Sequence, residues 1–119
     1  MSLDVQKLKK YLDCDDAFVA KVIDHFISES RTIVRQIEKR LDDKDVEGIR
    51  SSAHKILSST RIMGIDNISR LFEHIEIGAK KGRSIEELRP EIEEAAKAWQ
   101  QTVQEMELIK DRLSQNPDA

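Results

Sequence analysis
Turn-forming residues are scarce in this chain: there are four glycines and two prolines in 119 residues, and aromatics make up only 4%. A sheet protein rich in tight turns needs many such residues, so the shortage argues against one. The single cysteine, Cys14, excludes an internal disulfide and fits a reducing, cytoplasmic setting. No apolar run approaches the ~20 residues that a membrane span requires, and no charged–apolar–small leader opens the chain, so no membrane contact is expected. Neither sign of charge prevails: 20 lysines and arginines are interspersed with 23 acidic residues, for a net charge of −3. A broad nucleic-acid surface is therefore not expected. Nor is there a glycine-rich loop of the kind that cradles the phosphates of ATP.

What is present is a set of apolar residues recurring at helical spacing almost from end to end. Charged residues reach 36% beside 39% hydrophobic ones, a balance that suits amphipathic helices with one solvated face. A first segment from about Leu3 to Leu12 carries Val5, Leu8 and Leu12 on one side. A second follows Asp15 and Asp16, either of which suits an N-cap, and aligns Val19, Val22, Phe26, Ile33, Ile37 and Leu41 before the polar stretch Asp42 to Lys44. Asp45 caps a third, with Val46, Ile49, Ala53, Ile56, Thr60 and Met63 on its stripe and Gly64 as its stop. Asp66 or Asn67 opens a fourth, carrying Ile68, Leu71, Phe72, Ile75 and Ala79, and Gly82 suits the left-handed position after its end. Ser84 and Glu87 form a capping box for the last helix, which passes Ile85, Leu88, Ile92, Ala96, Trp99, Val103, Met106 and Leu113. Pro90 either lies close enough to the first turn to be tolerated or kinks that helix. Connections this short make neighbours antiparallel. The expected fold is all-α: an up-and-down antiparallel four-helix bundle with a short extra N-terminal helix, one domain over residues 1–119 with a frayed tail at 115–119.

Candidate chemistry centres on His54. At about 100° per residue it falls beside the apolar stripe of the third helix, neither central to the core nor opposite it. Its helix-surface neighbours are Arg50, Ser51, Leu57, Ser58 and Arg61, because positions three, four and seven apart share a face. Position alone describes an ordinary boundary histidine. The surrounding residues say more. Ala53-His54, Ile56, Ser59, Thr60 and Gly64 follow one another in a set order of small, apolar and helix-ending types. Ile68, Leu71, Phe72, Ile75 and Glu76 follow on the next helix, while Phe26 and Asp45 stand upstream.

This arrangement resembles the histidine-containing phosphotransfer (Hpt) domain family over nearly the whole chain. The resemblance implies that His54 is a phosphoacceptor exchanging a phosphoryl group with the aspartate of a receiver domain, free-standing or within a hybrid sensor kinase. It also implies that Lys55, Leu57 and Ser58 meet that partner. Two positions depart from the family pattern. The usual lysine three residues after the histidine is Leu57, and the usual glycine four after is Ser58, which stays small enough to admit a partner. Arg61, or else Arg50, is expected to supply the missing cation and so to stand with His54 in the catalytic group. No cofactor is expected on this chain, and Mg²⁺ is expected in the receiver. The expected species is a cytoplasmic monomer, a phosphocarrier rather than an ATP-dependent kinase. The rival reading is a helical adaptor that binds a receiver or another protein without being phosphorylated.

The remaining candidates read as structural. His25 and His74 have no motif around them and suit surface or boundary positions. A carboxylate-bridged di-metal bundle would need Glu-x-x-His pairs, but Val22, Ser51 and Leu71 stand three before the three histidines. Trp99 lies on the apolar stripe and is expected in the core, and Lys80-Lys81-Gly82-Arg83 suits a helix C-terminus.

Overall fold
A computed structural model describes residues 3–115, so the expected frayed tail lies almost wholly outside the described residues. The five helices are α1 (Val5–Leu12), α2 (Asp16–Asp42), α3 (Val46–Met63), α4 (Asp66–Lys80) and α5 (Ile85–Ser114). Their ends follow local chemistry. Asp15 accepts the N–H of Phe18 at 2.9 Å and caps α2, and Asp45 accepts the N–H of Gly48 at 2.9 Å and caps α3. Gly64 closes α3 at φ +70°, a conformation that costs glycine nothing and a branched residue a great deal. The capping box of Ser84 and Glu87 is complete.

One boundary differs from the sequence reading. Helix α1 begins at Val5 rather than Leu3, because the Asp4 carboxylate accepts the N–H of Lys7 and caps it. Helix α4 begins at Asp66, one of the two starts the sequence offers; its cap position, Ile65, is fully buried and makes no side-chain bond. Pro90 is tolerated: helix α5 continues through it, without the hydrogen bond its missing N–H would have made.

The packing closes in a ring: α2 lies against α3, α3 against α4, α4 against α5, and α5 against α2, with α1 resting on α2. Neighbours are antiparallel. Thr60 on α3 meets Ser69 on α4, while His54, earlier on α3, meets Glu76, later on α4. The result is an elongated four-helix bundle of 51 × 21 × 18 Å. Ile23, Ile37, Ile49, Ile56, Ile68, Phe72, Ile75, Leu88 and Met106 are essentially fully buried along its axis. Trp99 is buried as expected, and its indole N–H donates to the buried Ser30 hydroxyl at 2.8 Å, which spares the core an unsatisfied donor. No helix among the described residues is long and apolar enough to cross a membrane.

Candidate functional site
Helix α3 turns one edge inward and leaves the opposite one to solvent. Ile49, Ala53, Ile56 and Thr60 are buried, and on the outer edge His54 is 64% exposed at its side chain. The imidazole is not free to rotate, however. Its Nδ1 lies 2.7 Å from Oε2 of Glu76, which reaches across from α4 and is itself only 15% exposed. A carboxylate only accepts, so the bond assigns the ring proton to Nδ1 and leaves the lone pair on Nε2. A few residues along, the Ser69 hydroxyl donates to Thr60 at 2.8 Å and ties the same two helices together.

The two flanks of His54 differ. On the α4 side lie the arginines, each engaged by a carboxylate. Arg50 donates through Nε and Nη2 to Glu47, with bonds of 2.6–3.0 Å, and Arg61 donates to Glu73 at 2.6 Å. The bond from Arg50 holds the Glu47 carboxyl below its ordinary pKa, and Glu47 in turn raises that of Arg50, with a smaller contribution from Glu76. On the α2 side the residues are small. Ser58 is exposed one turn from His54, and Ser59 donates to Glu29 of α2 at 2.7 Å. There the surface dips into a groove of about 610 Å³ bounded by Lys55, Ser58 and Ser59 and by Ser28, Thr32 and Gln36 of α2. Lys55, beside this groove, is exposed and makes no ion pair among the described residues.

Of the residues singled out in the sequence, His54, Lys55 and Ser58 stand together on this surface. Leu57 does not, and the expectation that it meets a partner is corrected. It lies 60° round from His54 toward α4, where packing leaves its side chain 1% exposed. Neither Arg50 nor Arg61 is directed at the ring by a hydrogen bond; each turns to a glutamate. Sequence reasoning gave Glu76 only as part of a resemblance and missed its grip on the ring. A contact 22 residues away on another helix leaves no periodic signal.

His25 and His74 also sit beside carboxylates. His25 Nε2 is 3.4 Å from Glu29 on its own helix, and His74 Nε2 is 3.2 Å from Glu91 on α5, an oxygen that also accepts from Arg83. Cys14 is half-buried, and burial together with Asp15 raises its thiol pKa above the ordinary 9.0, so it is not a reactive thiolate.

The sequence model of the Hpt domain family matches residues 21–116, which takes in most of α2 and all of α3, α4 and α5. The chain belongs to the Hpt domain family. Hpt domains exchange phosphoryl groups in two-component systems and interact with receiver domains in phosphorelays. The match leaves α1 outside, and within the Hpt bundle it covers both helices that hold His54 and Glu76. Comparison with curated proteins and with solved structures gave no match.

Proposed function
We propose that this Hpt domain is a phosphocarrier in which His54 accepts a phosphoryl group from a receiver aspartate and passes it to another. The observation that carries the reading is the Nδ1–Glu76 bond on a well-exposed ring, because it leaves the outer nitrogen as the nucleophile. Nε2 attacks the phosphorus of an aspartyl phosphate in line. The N–P bond forms as the P–O bond to the aspartate breaks, and its electron pair leaves on the carboxylate. The ring becomes formally cationic, and the Glu76 carboxylate stabilises it through a charge-assisted hydrogen bond. Donation to the next receiver is the reverse of these steps. Mg²⁺ held by the receiver would neutralise charge on the phosphoryl oxygens. The bundle itself contributes position: a ring fixed on a rigid helix needs little further ordering when the partner closes over it.

The receiver docks from the α2 side. Ser58 and Ser59 keep that approach low, the groove beside them is open, and Lys55 offers an uncompensated positive charge to an acidic phosphorylation pocket. The domain acts as a cytoplasmic monomer. Incubation with a phosphorylated receiver and Mg²⁺ tests the reading. Acid-labile, base-stable label on the chain, lost in His54→Gln, is the expected result. Receiver binding without any label would establish the adaptor reading instead, which the loss of the lysine at Leu57 favours.

A further inference from the structure
The paired arginines beside His54 suggest how its phosphoryl group is held. Four residues separate Arg50 from His54, about 6 Å along the helix axis, whereas Arg61 is seven residues, or about 10 Å, away. Helical side chains lean toward the N-terminus, so the His54 ring leans over the turn that carries Arg50. By the same lean Arg61 points toward His54 and Arg50 toward Glu47, but Glu73 draws Arg61 onto α4. The Arg50 side chain is only 30% exposed, so it is held close to the surface it shares with the ring. Its present partner, Glu47, belongs to the same helix and lies a further turn from His54, at its more exposed end, with 74% of the side chain in solvent.

We propose that Arg50 and Glu47 form a releasable clasp: Arg50 exchanges the Glu47 carboxylate for the phosphoryl oxygens once Nε2 is phosphorylated, so that Glu47 sets how long the phosphohistidine lasts. The proposal rests on His54 being the phosphoacceptor. A guanidinium suits the exchange because its planar fork matches carboxylate and phosphate equally well. Glu47 competes with the phosphoryl group for that fork. It therefore weakens charge compensation on His54 and favours onward transfer to a receiver. Here the cation is supplied conditionally, where a lysine in place of Leu57 would supply it permanently.

The test uses the full chain labelled with phosphoramidate, a small donor from which Nε2 displaces ammonia, so that no receiver influences the result. The lifetime of the phosphohistidine at neutral pH is then followed. Exposed ion pairs are weak, so effects of about threefold are expected. Glu47→Gln should lengthen the lifetime by that factor, Arg50→Gln should shorten it, and Arg50→Lys should restore part of the loss. The Arg50 Nε–H resonance should shift on phosphorylation of the wild-type chain. Unchanged lifetimes in Glu47→Gln and Arg50→Gln on labelled protein, or an unmoved Arg50 resonance, would overturn the clasp alone. Failure of the wild-type chain to label from both phosphoramidate and a receiver would overturn the phosphoacceptor reading and the clasp with it.

Discussion

Helix α4 takes part in two imidazole–carboxylate pairs, one on each side. Toward α3 it contributes the carboxylate, with Glu76 accepting from Nδ1 of His54; toward α5 it contributes the imidazole, with Nε2 of His74 beside Glu91. Both rings are well exposed, at 64% and 68%. The chemistry they offer is nonetheless different. Nε2 is the nitrogen farther from the backbone, so holding Nδ1 presents a nucleophile outward, whereas holding Nε2 leaves only the nitrogen crowded by its own helix. The carboxylates differ as well. Glu91 is shared with Arg83, and its second oxygen is buried without a hydrogen-bond partner among the described residues. Glu91 is thus fixed by an ion pair that joins the start of α5 to the turn after α4, a structural task. The pair alone does not mark a phosphoacceptor. The ring nitrogen left free and the size of the neighbouring residues do.

The largest effect should separate the two histidines outright. His54→Gln is expected to abolish labelling from a phosphorylated receiver, while His74→Gln leaves it at the wild-type level. Label retained in the first variant, or lost in the second, would break the comparison. Next in size is the approach to the ring. Ser58→Tyr places a large ring one turn from His54 on an exposed position, and should slow transfer from a receiver roughly tenfold or more through misplacement of the reacting atoms. Labelling by phosphoramidate and the melting temperature should scarcely change, and a marked loss of stability would show that this position is not the open flank described.

The carboxylates come third. A hydrogen bond to a charged group contributes about 1.5–3 kcal/mol, and about 1.4 kcal/mol corresponds to tenfold in rate; the ring is well exposed, so the lower end applies and Glu76→Ala should slow labelling of His54 by about tenfold. Glu76→Gln keeps an accepting oxygen for Nδ1–H but loses the charge, and should fall between. Glu91→Ala should leave transfer rates unaltered while lowering the melting temperature, because Arg83 loses its shortest ion pair and keeps only the longer contacts to Glu87. Equal slowing in Glu76→Ala and Glu91→Ala would mean that the two pairs contribute alike.

How much of this was legible without coordinates follows from the range of each interaction. The helices were, since apolar spacing and caps such as Asp15, Asp45 and Ser84 act within a few residues. The place of His54 at the edge of the apolar stripe was legible for the same reason. Leu57 was not: its spacing makes it a helix-surface neighbour of His54 and the family resemblance puts it in the docking group, whereas packing against α4 buries it. The partners of Glu76 and Glu73 were not legible. They depend on the stagger of α3 against α4, which core packing decides and which no local spacing encodes. The pairing of Arg50 with Glu47, three residues earlier, is of the i,i+3 kind that spacing alone encodes.

The smallest expected effect concerns the N-terminal ends of the two helices on which the histidines lie. Helix α3 begins on ionised carboxylates: the N–H of Gly48, then Arg40, holds the Asp45 carboxyl below its ordinary 3.8, and Arg50 holds that of Glu47 below 4.5. Helix α4 begins on Ile65 without a side-chain bond. A carboxyl depressed in the folded state contributes stability that is complete above its ordinary pKa and is lost as the pH falls through the folded value. Acidification from pH 5 to pH 3 should therefore loosen the first turn of α3, seen as faster exchange and a shifted resonance of the Gly48 amide. The amides of Ser69 and Arg70 in α4 should respond less. Asn caps a helix about as well as Asp, so Asp45→Asn should keep the turn formed at neutral pH while removing most of this acid response. An unmoved Gly48 amide in the wild-type chain across that range would show that the carboxylate does not hold the end of the helix that carries His54. A response as large in Asp45→Asn would assign it to Glu47 and its bond to Arg50.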